Sequence, residues 1–320
     1  MTVQIFGHKS PDTDSTGAPI LWSWYLNTVK NITAIPRLLG TPNTEAAFVL
    51  NHWNLEQPEL LGPLAENDPV IIVDTNNPDE LPENINTADI QAIIDHHKLV
   101  GGLETKAPID ITVRPLACTA TIMLDLMGTA AAAQMPKDIK GVALSCILSD
   151  TLEFRSPTTT DHDRAVAKKL AADLGVSIPA YAAKMFAAKS DVSAFSDAAL
   201  LRMDSKEFIV GEVKLRVSVL ETTAPDTVLA RKNSLMQTMP IVAAEDGAAH
   251  VLLFVVDILN TQATLLVQNA AVKSIAEASF GVKSEYFVFA WSSGMLWPNP
   301  GTETDVAVIS KSDPSTMFSP

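Results

Sequence analysis

Short, continuous apolar runs alternate with helical patterns through the first half of the chain. The run at residues 3–6 stops at Gly7, and residues 15–29 follow with Ile20, Leu21, Trp24 and Tyr25 at helical spacing after a polar start. This reads as strand, loop and helix. The pattern recurs with a strand near 34–39, a helix at 44–51, and strands at 70–73 and 92–94, each ended by polar residues. Unbroken apolar runs of this kind suit strands buried on both faces of a parallel sheet. Further helices are predicted at 119–127, 137–148, 161–174 and 179–188.

The polar stretch Lys189-Ser190-Asp191-Val192-Ser193 separates this pattern from a different one. Strands at 207–210 and 213–220 flank Gly211-Glu212, a hairpin signal with glycine at the first turn position. A helix near 227–239, strands at 250–259 and 262–267, and a helix at 272–280 follow. The expected fold class is α/β in two domains. An N-terminal parallel sheet with helices on both faces would occupy residues 1–188, with a linker at 189–194. A smaller C-terminal α/β domain with a mixed sheet would occupy 195–320. The length of 320 residues agrees, at roughly 150 per domain, and 47% apolar residues suffice for two cores.

Charge narrows the partners. Lys+Arg 23 against Asp+Glu 37 leaves a net charge of -14, and neither half is basic. Nucleic acids and anionic membrane surfaces are held mainly by basic side chains, so neither is expected as a partner. Apolar runs such as 251–256 fall far short of the roughly 18 residues of a membrane span, and the N-terminus lacks the basic and apolar regions of a secretory signal. A cytoplasmic location is expected. Cys118 and Cys146, in apolar helical stretches, read as buried free thiols.

In an open parallel sheet, ligands bind beyond the carboxyl ends of the strands. Here those positions are acidic and histidine-rich. Gly7-His8-Lys9-Ser10-Pro11-Asp12-Thr13-Asp14-Ser15 follows the first run, Asp74-Thr75-Asn76-Asn77 the run at 70–73, and Asp95-His96-His97 the run at 92–94. Ser149-Asp150-Thr151 closes a helical run. Each fragment alone has an ordinary explanation: Asp14 or Ser15 could cap a helix, Asp74 could open a turn, and the His pair could belong to a hydrogen-bonded loop. Together they place three of six histidines and at least five aspartates at one predicted sheet edge. Like charges so gathered would repel, and divalent cations would remove the repulsion. Imidazole and carboxylate without thiolate suit Mn²⁺, Mg²⁺ or Co²⁺ better than a structural zinc. Six candidates (His8, Asp12, Asp14, Asp74, His96, Asp150) divide into two three-ligand half-sites if one carboxylate bridges. Two metals roughly 3.5 to 4 Å apart can share a water, lower its pKa and hold the oxygens of an in-line phosphoryl displacement.

The order G-H-x-x-P-D-x-D-S, V-D-T-N, D-H-H, S-D-T resembles the motif set of the family II, manganese-dependent inorganic pyrophosphatases of the DHH phosphoesterase superfamily. The resemblance implies hydrolysis of pyrophosphate to two orthophosphates, with two Mn²⁺ per active site, Co²⁺ as a substitute, and Mg²⁺ arriving with the substrate. It implies that His8, Asp12 and Asp74 hold one metal and Asp14, His96 and Asp150 the other, with Asp74 bridging. His97 would contact phosphate or donate a proton to the leaving group, and Asp95 would orient a ligand histidine. Thr75, Asn76 and Ser149 adjoin these motifs. It further implies a homodimer formed through the first domain, and an active site between the two domains of one chain.

By the same resemblance, Asp204-Ser205-Lys206-Glu207-Phe208 delivers a substrate-binding lysine, Lys206. The family's C-terminal S-R-K-x-Q motif is absent. Ser310-Lys311 stands as its remnant, so Lys311 is the second substrate candidate, and Arg231-Lys232 is a further basic pair expected on a helix surface. Losing a bidentate guanidinium contact would cost about 2 to 3 kcal/mol of substrate or transition-state binding. Two rival readings are a DHH-type phosphoesterase acting on short oligonucleotides or polyphosphate, and a catalytically idle metal- and phosphate-binding module. The first lacks the glycine-rich G-G-G-H type motif that related nucleases carry, with Ser292-Ser293-Gly294 only a faint echo.

Overall fold

Five parallel strands, β1 (Val3–Phe6), β2 (Ala34–Pro36), β3 (Pro69–Val73), β4 (Asp89–Asp95) and β5 (Asp110–Val113), form the first sheet in the order β2-β1-β3-β4-β5. The computed structural model describes residues 2–203, 205–210, 213–260, 262–280 and 287–290. They fall into two units that divide between Lys189 and Ser190. β3, buried at all five positions, explains the unbroken apolar run. β2 ends at Pro36 rather than near 39, since proline has no N–H to continue a ladder and is confined to edge strands. β5, the other edge, was not expected. Its residues are mostly exposed, so it has no buried stripe to announce it.

Six α-helices stand among the described residues of this unit: α1 (Thr13–Tyr25), α2 (Thr44–His52), α3 (Thr119–Ala132), α4 (Lys137–Asp150), α5 (Asp161–Leu174) and α6 (Ile178–Lys189). α1 and α3 pack on one face of the sheet, with α4 against α1. On the other face Phe6, Val70, Ile72, Ile90 and Ile93 form a core with Leu81 and Ile85, carried near helical turns at Pro78–Glu80 and Ile85–Thr87. α1 is buried on nearly every side, because it lies between the sheet and α4. Gly17 permits that approach: a Cβ there would meet Cys146 Sγ at 2.4 Å. Cys146 lies within α4, whereas Cys118 is the residue that precedes α3; both are buried and free.

The second unit holds α7 (Asp197–Arg202), β6 (Ser205–Val210), β7 (Val213–Thr222), α8 (Pro225–Leu229), α9 (Lys232–Glu245), β8 (His250–Asp257), β9 (Gln262–Leu266), α10 (Ala270–Phe280) and β10 (Phe287–Ala290). Its sheet order is β10-β9-β8-β7-β6, mixed in sense: β7 and β8 are parallel and every other pair is antiparallel. β8 is buried on both faces. Val251, Leu253 and Val255 join Leu220, Leu235 and Met239 on one side, while Leu252, Phe254 and Val256 join Val272 and Ala276 on the other. The helix expected near 227–239 is two helices, α8 and α9. Between them Arg231 bonds the carbonyls of Val192 and Phe195 at 2.8 and 2.9 Å and the Asp197 carboxylate at 2.6 Å, so it anchors a loop instead of decorating a surface. The Gly211-Glu212 turn lies outside the described residues. Among the described residues no helix is long and apolar enough to cross a membrane.

Candidate metal centre

The strand order places β1 between β2 and β3, so the chain leaves β1 and β3 in opposite directions and opens a crevice at their carboxyl ends. His8, Asp12 and Asp14 come from the segment after β1, and Asp74 follows β3 directly. His8 is held by its own backbone, whose N–H donates to Ser15 Oγ at 2.8 Å. Gly7 lets the loop close this far, since a Cβ there would sit 2.0 Å from Ser15 Oγ. Asp12, rather than Asp14 or Ser15, caps α1: its Oδ1 accepts from the Ser15 N–H at 2.9 Å.

Asp74 is the centre of the arrangement. It is almost fully buried and holds a left-handed backbone, φ 58°, an uncommon state for a residue other than glycine. Its Oδ2 lies 3.5 Å from His8 Nε2 and its Oδ1 3.3 Å from His96 Nε2. His8 Nε2 is also 3.8 Å from Asp12 Oδ1. One ligand atom each from His8, Asp12 and Asp74 lie within 4.8 Å of one another, and the same holds for Asp14, His96 and Asp150. The structure therefore brings together all six candidates, in the two groups the motif resemblance implied, with one Asp74 oxygen facing the histidine of each. Ligand atoms of Asp74, His96 and His97 likewise lie within 4.8 Å of one another.

His96 faces Asp74 as an acceptor. Its Nδ1 lies 3.2 Å from the Leu116 carbonyl, which has no hydrogen to give, so Nδ1 carries the proton and Nε2 a lone pair. Burial lowers its pKa, which keeps the ring neutral. A lone pair and a carboxylate oxygen 3.3 Å apart repel unless a cation or a proton joins them. The carboxylates make the same demand. Asp14 Oδ1 and Asp150 Oδ2 are buried with no hydrogen-bond donor among the described residues. Burial, followed by the charges of Asp14 and Asp12, pushes the Asp150 carboxyl well above the usual range, and Asp74 is raised by burial and then by Asp14, Asp12, Asp150 and Asp95. These residues fit divalent cations: oxygen and imidazole donors, anionic in excess, and short of partners within the protein.

Asp95 and His97 form a separate pair. The Asp95 carboxylate is fully buried; its Oδ1 accepts the backbone N–H groups of His96 and His97 at 2.8 and 3.1 Å and His97 Nδ1 at 2.9 Å. Asn76 donates to its Oδ2. Burial opposes ionisation of Asp95, but the hydrogen bonds from His97 and Asn76 overcome it and hold its pKa down. The Asp95 hydrogen bond raises the pKa of His97, against partial burial. The His97 ring is half exposed, 51%. Asn76 also bonds the Lys98 carbonyl and accepts from the Val100 N–H, fixing the loop that carries both histidines.

Thr119 was not a candidate. As the first residue of α3 it gives its backbone N–H to Asp14 Oδ2 at 2.7 Å and its hydroxyl to Asp74 Oδ1 at 3.2 Å. A start to an apolar helix was legible there, but no local signal tells which acids it meets. Thr75 donates to Glu80 and Ser149 to Glu45, so neither bonds a ligand candidate directly. Lys206 lies exposed on β6 in the second unit. Asp204, Ser292, Ser293, Gly294 and the Ser310-Lys311 remnant lie outside the described residues.

Residues 2–149 match the DHH family, N-terminal domain, and residues 183–292 match the DHHA2 domain. A Deinococcus radiodurans protein named as a manganese-dependent inorganic pyrophosphatase is 41% identical over 286 residues, covering 88% of this chain and 90% of the relative. A Brevibacillus brevis protein of the same name is 34% identical over 275 residues, covering 86% and 88%. A solved Methanococcus jannaschii structure, described as a family II inorganic pyrophosphatase, superposes with a TM-score of 0.63 at 29% identity over 91% of this chain and 95% of that one. Sequence likeness along nearly the whole length, joined to two carboxylate and imidazole triads meeting at Asp74, leads to one conclusion: the chain belongs to the family II, manganese-dependent inorganic pyrophosphatases of the DHH superfamily.

Proposed function

We propose that the protein hydrolyses inorganic pyrophosphate to two orthophosphates at this centre. One observation carries the reading: the two oxygens of Asp74 face His8 and His96 separately, so two cations could be held on either side of one carboxylate. His8, Asp12 and Asp74 would hold one Mn²⁺, and Asp14, His96 and Asp150 the other with Asp74 shared. When bound, the pair lowers the pKa of an attacking water towards neutrality and neutralises the phosphate oxygens. Co²⁺ would serve in place of Mn²⁺, and a Mg²⁺ would accompany the substrate.

The protein's own groups do the rest. The buried Asp74 carboxylate is fixed by its backbone and by Thr119, so it need not reorganise during turnover. His97, with Nδ1 engaged by Asp95, keeps a proton at Nε2 over a wider pH range than a free imidazole and presents it to the leaving phosphate. Lys206 and Lys311 would contact the outer phosphate oxygens. The acidic composition, with a net charge of -14, suits a small substrate whose charge is met locally rather than by the whole protein. A homodimer in the cytoplasm, with no nucleic-acid or membrane partner, completes the proposal.

The test is phosphate release from pyrophosphate, tripolyphosphate and a dinucleotide, with Mn²⁺, Co²⁺ or Mg²⁺, before and after chelation. Pyrophosphate turnover that chelation removes and Mn²⁺ restores is expected. Preference for the dinucleotide, or analogue binding without turnover, would overturn the assignment.

A further inference from the structure

Besides Asp95 and Asp163, a further buried carboxyl group in the first unit belongs to neither half-site. Glu45, in the first turn of α2, has a fully buried side chain. Three donors converge on its Oε2: Thr13 Oγ1 at 3.0 Å, Ser149 Oγ at 2.6 Å and Lys189 Nζ at 3.5 Å. Its Oε1 meets no donor among the described residues. A buried acid is a costly way to fill space, and an apolar side chain would pack α2 at lower cost. What it bonds explains the choice. Thr13 lies between Asp12 and Asp14 at the start of α1, and Ser149 precedes Asp150 at the end of α4.

Both bonded residues stand at helix ends, where the backbone is least constrained. α4 stops abruptly after Asp150, for Leu152, Glu153 and Phe154 all have positive φ, 47°, 53° and 71°. Backbone bonds close that end, Glu153 N–H on the Leu148 carbonyl at 3.0 Å among them, and the Ser149 bond to Glu45 at 2.6 Å ties it to a neighbouring helix. Asp14 and Asp150 must hold one half-site from two different helices, and Glu45 is the group that ties those two helix ends to a common oxygen.

We propose that Glu45 is a positioning residue for the metal centre, setting the spacing between the α1 carboxylates and Asp150 without touching a cation or the substrate. This rests on the two-cation reading above. It also predicts that the acceptor geometry of Glu45, rather than its charge, is what matters, since Lys189 is its most distant partner.

The experiment is Mn²⁺ binding to chelator-treated protein, with electron paramagnetic resonance reporting free Mn²⁺ and the spin-coupled signal of a neighbouring pair. Glu45→Gln keeps an oxygen for Thr13 and Ser149 and should bind within about threefold of the native protein, whereas Glu45→Ala should weaken binding about 10- to 100-fold and alter the coupled signal. A residue that only packed α2 would lower the melting temperature of the metal-free protein yet leave Mn²⁺ affinity and the coupled signal unchanged. Should Glu45→Ala fail to fold, Ser149→Ala and Thr13→Val cut the same links singly, and each should weaken Mn²⁺ binding while the metal-free fold persists. Native affinity and signal in Glu45→Ala, or in both single-link variants, would overturn the proposal. A native protein that binds no Mn²⁺ pair would instead sink the two-cation reading itself.

Discussion

The Thr119 hydroxyl donates to Asp74 Oδ1 at 3.2 Å while the backbone N–H of the same residue donates to Asp14 Oδ2 at 2.7 Å. One residue thus steadies an acid from each half-site. Thr119→Val removes the first bond and keeps the second, because only the hydroxyl is lost. A hydrogen bond to a charged group contributes about 1.5 to 3 kcal/mol, so Mn²⁺ affinity should fall by about tenfold or more. Thr119→Ser should restore it. Titration of chelator-treated protein with Mn²⁺ measures both, and equal affinity in native and valine proteins would show the hydroxyl to be idle.

Asp74→Asn is the decisive substitution at the centre. Asparagine tolerates the left-handed backbone at φ 58° better than alanine, so the change removes charge with little backbone strain. It should abolish retention of a cation pair and lower turnover by at least about a hundredfold, the scale of losing one electrostatic contact to the reacting charge. Native turnover in this variant, measured as phosphate release at saturating Mn²⁺, would contradict the shared role of Asp74.

Stability of the metal-free protein should depend on pH through the same carboxyl group. Burial and then Asp14, Asp12, Asp150 and Asp95 raise the folded pKa of Asp74 above its ordinary 3.8, so the folded state holds the proton more tightly than the unfolded chain. Stability from this group is whole below 3.8 and declines as pH rises through the raised folded value, because ionisation then costs more in the fold than outside it. Asp150 acts in the same sense. The melting temperature of the metal-free native protein should therefore fall relative to Asp74→Asn as pH rises. Added Mn²⁺ should recover more of it at neutral than at acid pH. Parallel curves for the two proteins across that range would show that Asp74 carries no such penalty.

Much of this is legible in the sequence. β3 is an unbroken apolar run, β1 and β4 carry shorter apolar stretches, and His8, Asp12, Asp14, Asp74, Asp95 and His96 sit where a parallel sheet exposes its ligand-binding edge. The rest depends on encounters between distant segments. Thr119 meets Asp14 across 105 residues, and nothing in its neighbours reports that partner. Glu45 reads as an ordinary first-turn acid, because its burial is created by α1, α4 and α6 closing around it. Arg231 reads as a surface cation for the same reason: the carbonyls of Val192 and Phe195 that engage it lie more than thirty positions away. β5 leaves almost no pattern at all, since an exposed edge strand buries no side to alternate.

The protonation of His97 offers a last handle. Asp95 accepts from Nδ1 at 2.9 Å and raises the imidazole pKa, partial burial pulling the other way. If His97 Nε2 supplies the proton to the leaving phosphate, turnover must fall as pH rises through that raised value. Replacing Asp95 with Asn removes the anion yet leaves an oxygen for the backbone N–H groups of His96 and His97. The alkaline limb of kcat should therefore move to lower pH. The Asn76 amide would then face another amide, a loss of about 1 to 3 kcal/mol that lowers the melting temperature without moving a pH limb. His97→Gln should erase the limb and reduce kcat about 10²- to 10⁴-fold. A kcat profile from mildly acid to alkaline pH, at saturating Mn²⁺ and pyrophosphate, separates these outcomes. An unmoved limb in Asp95→Asn would mean that another group sets it.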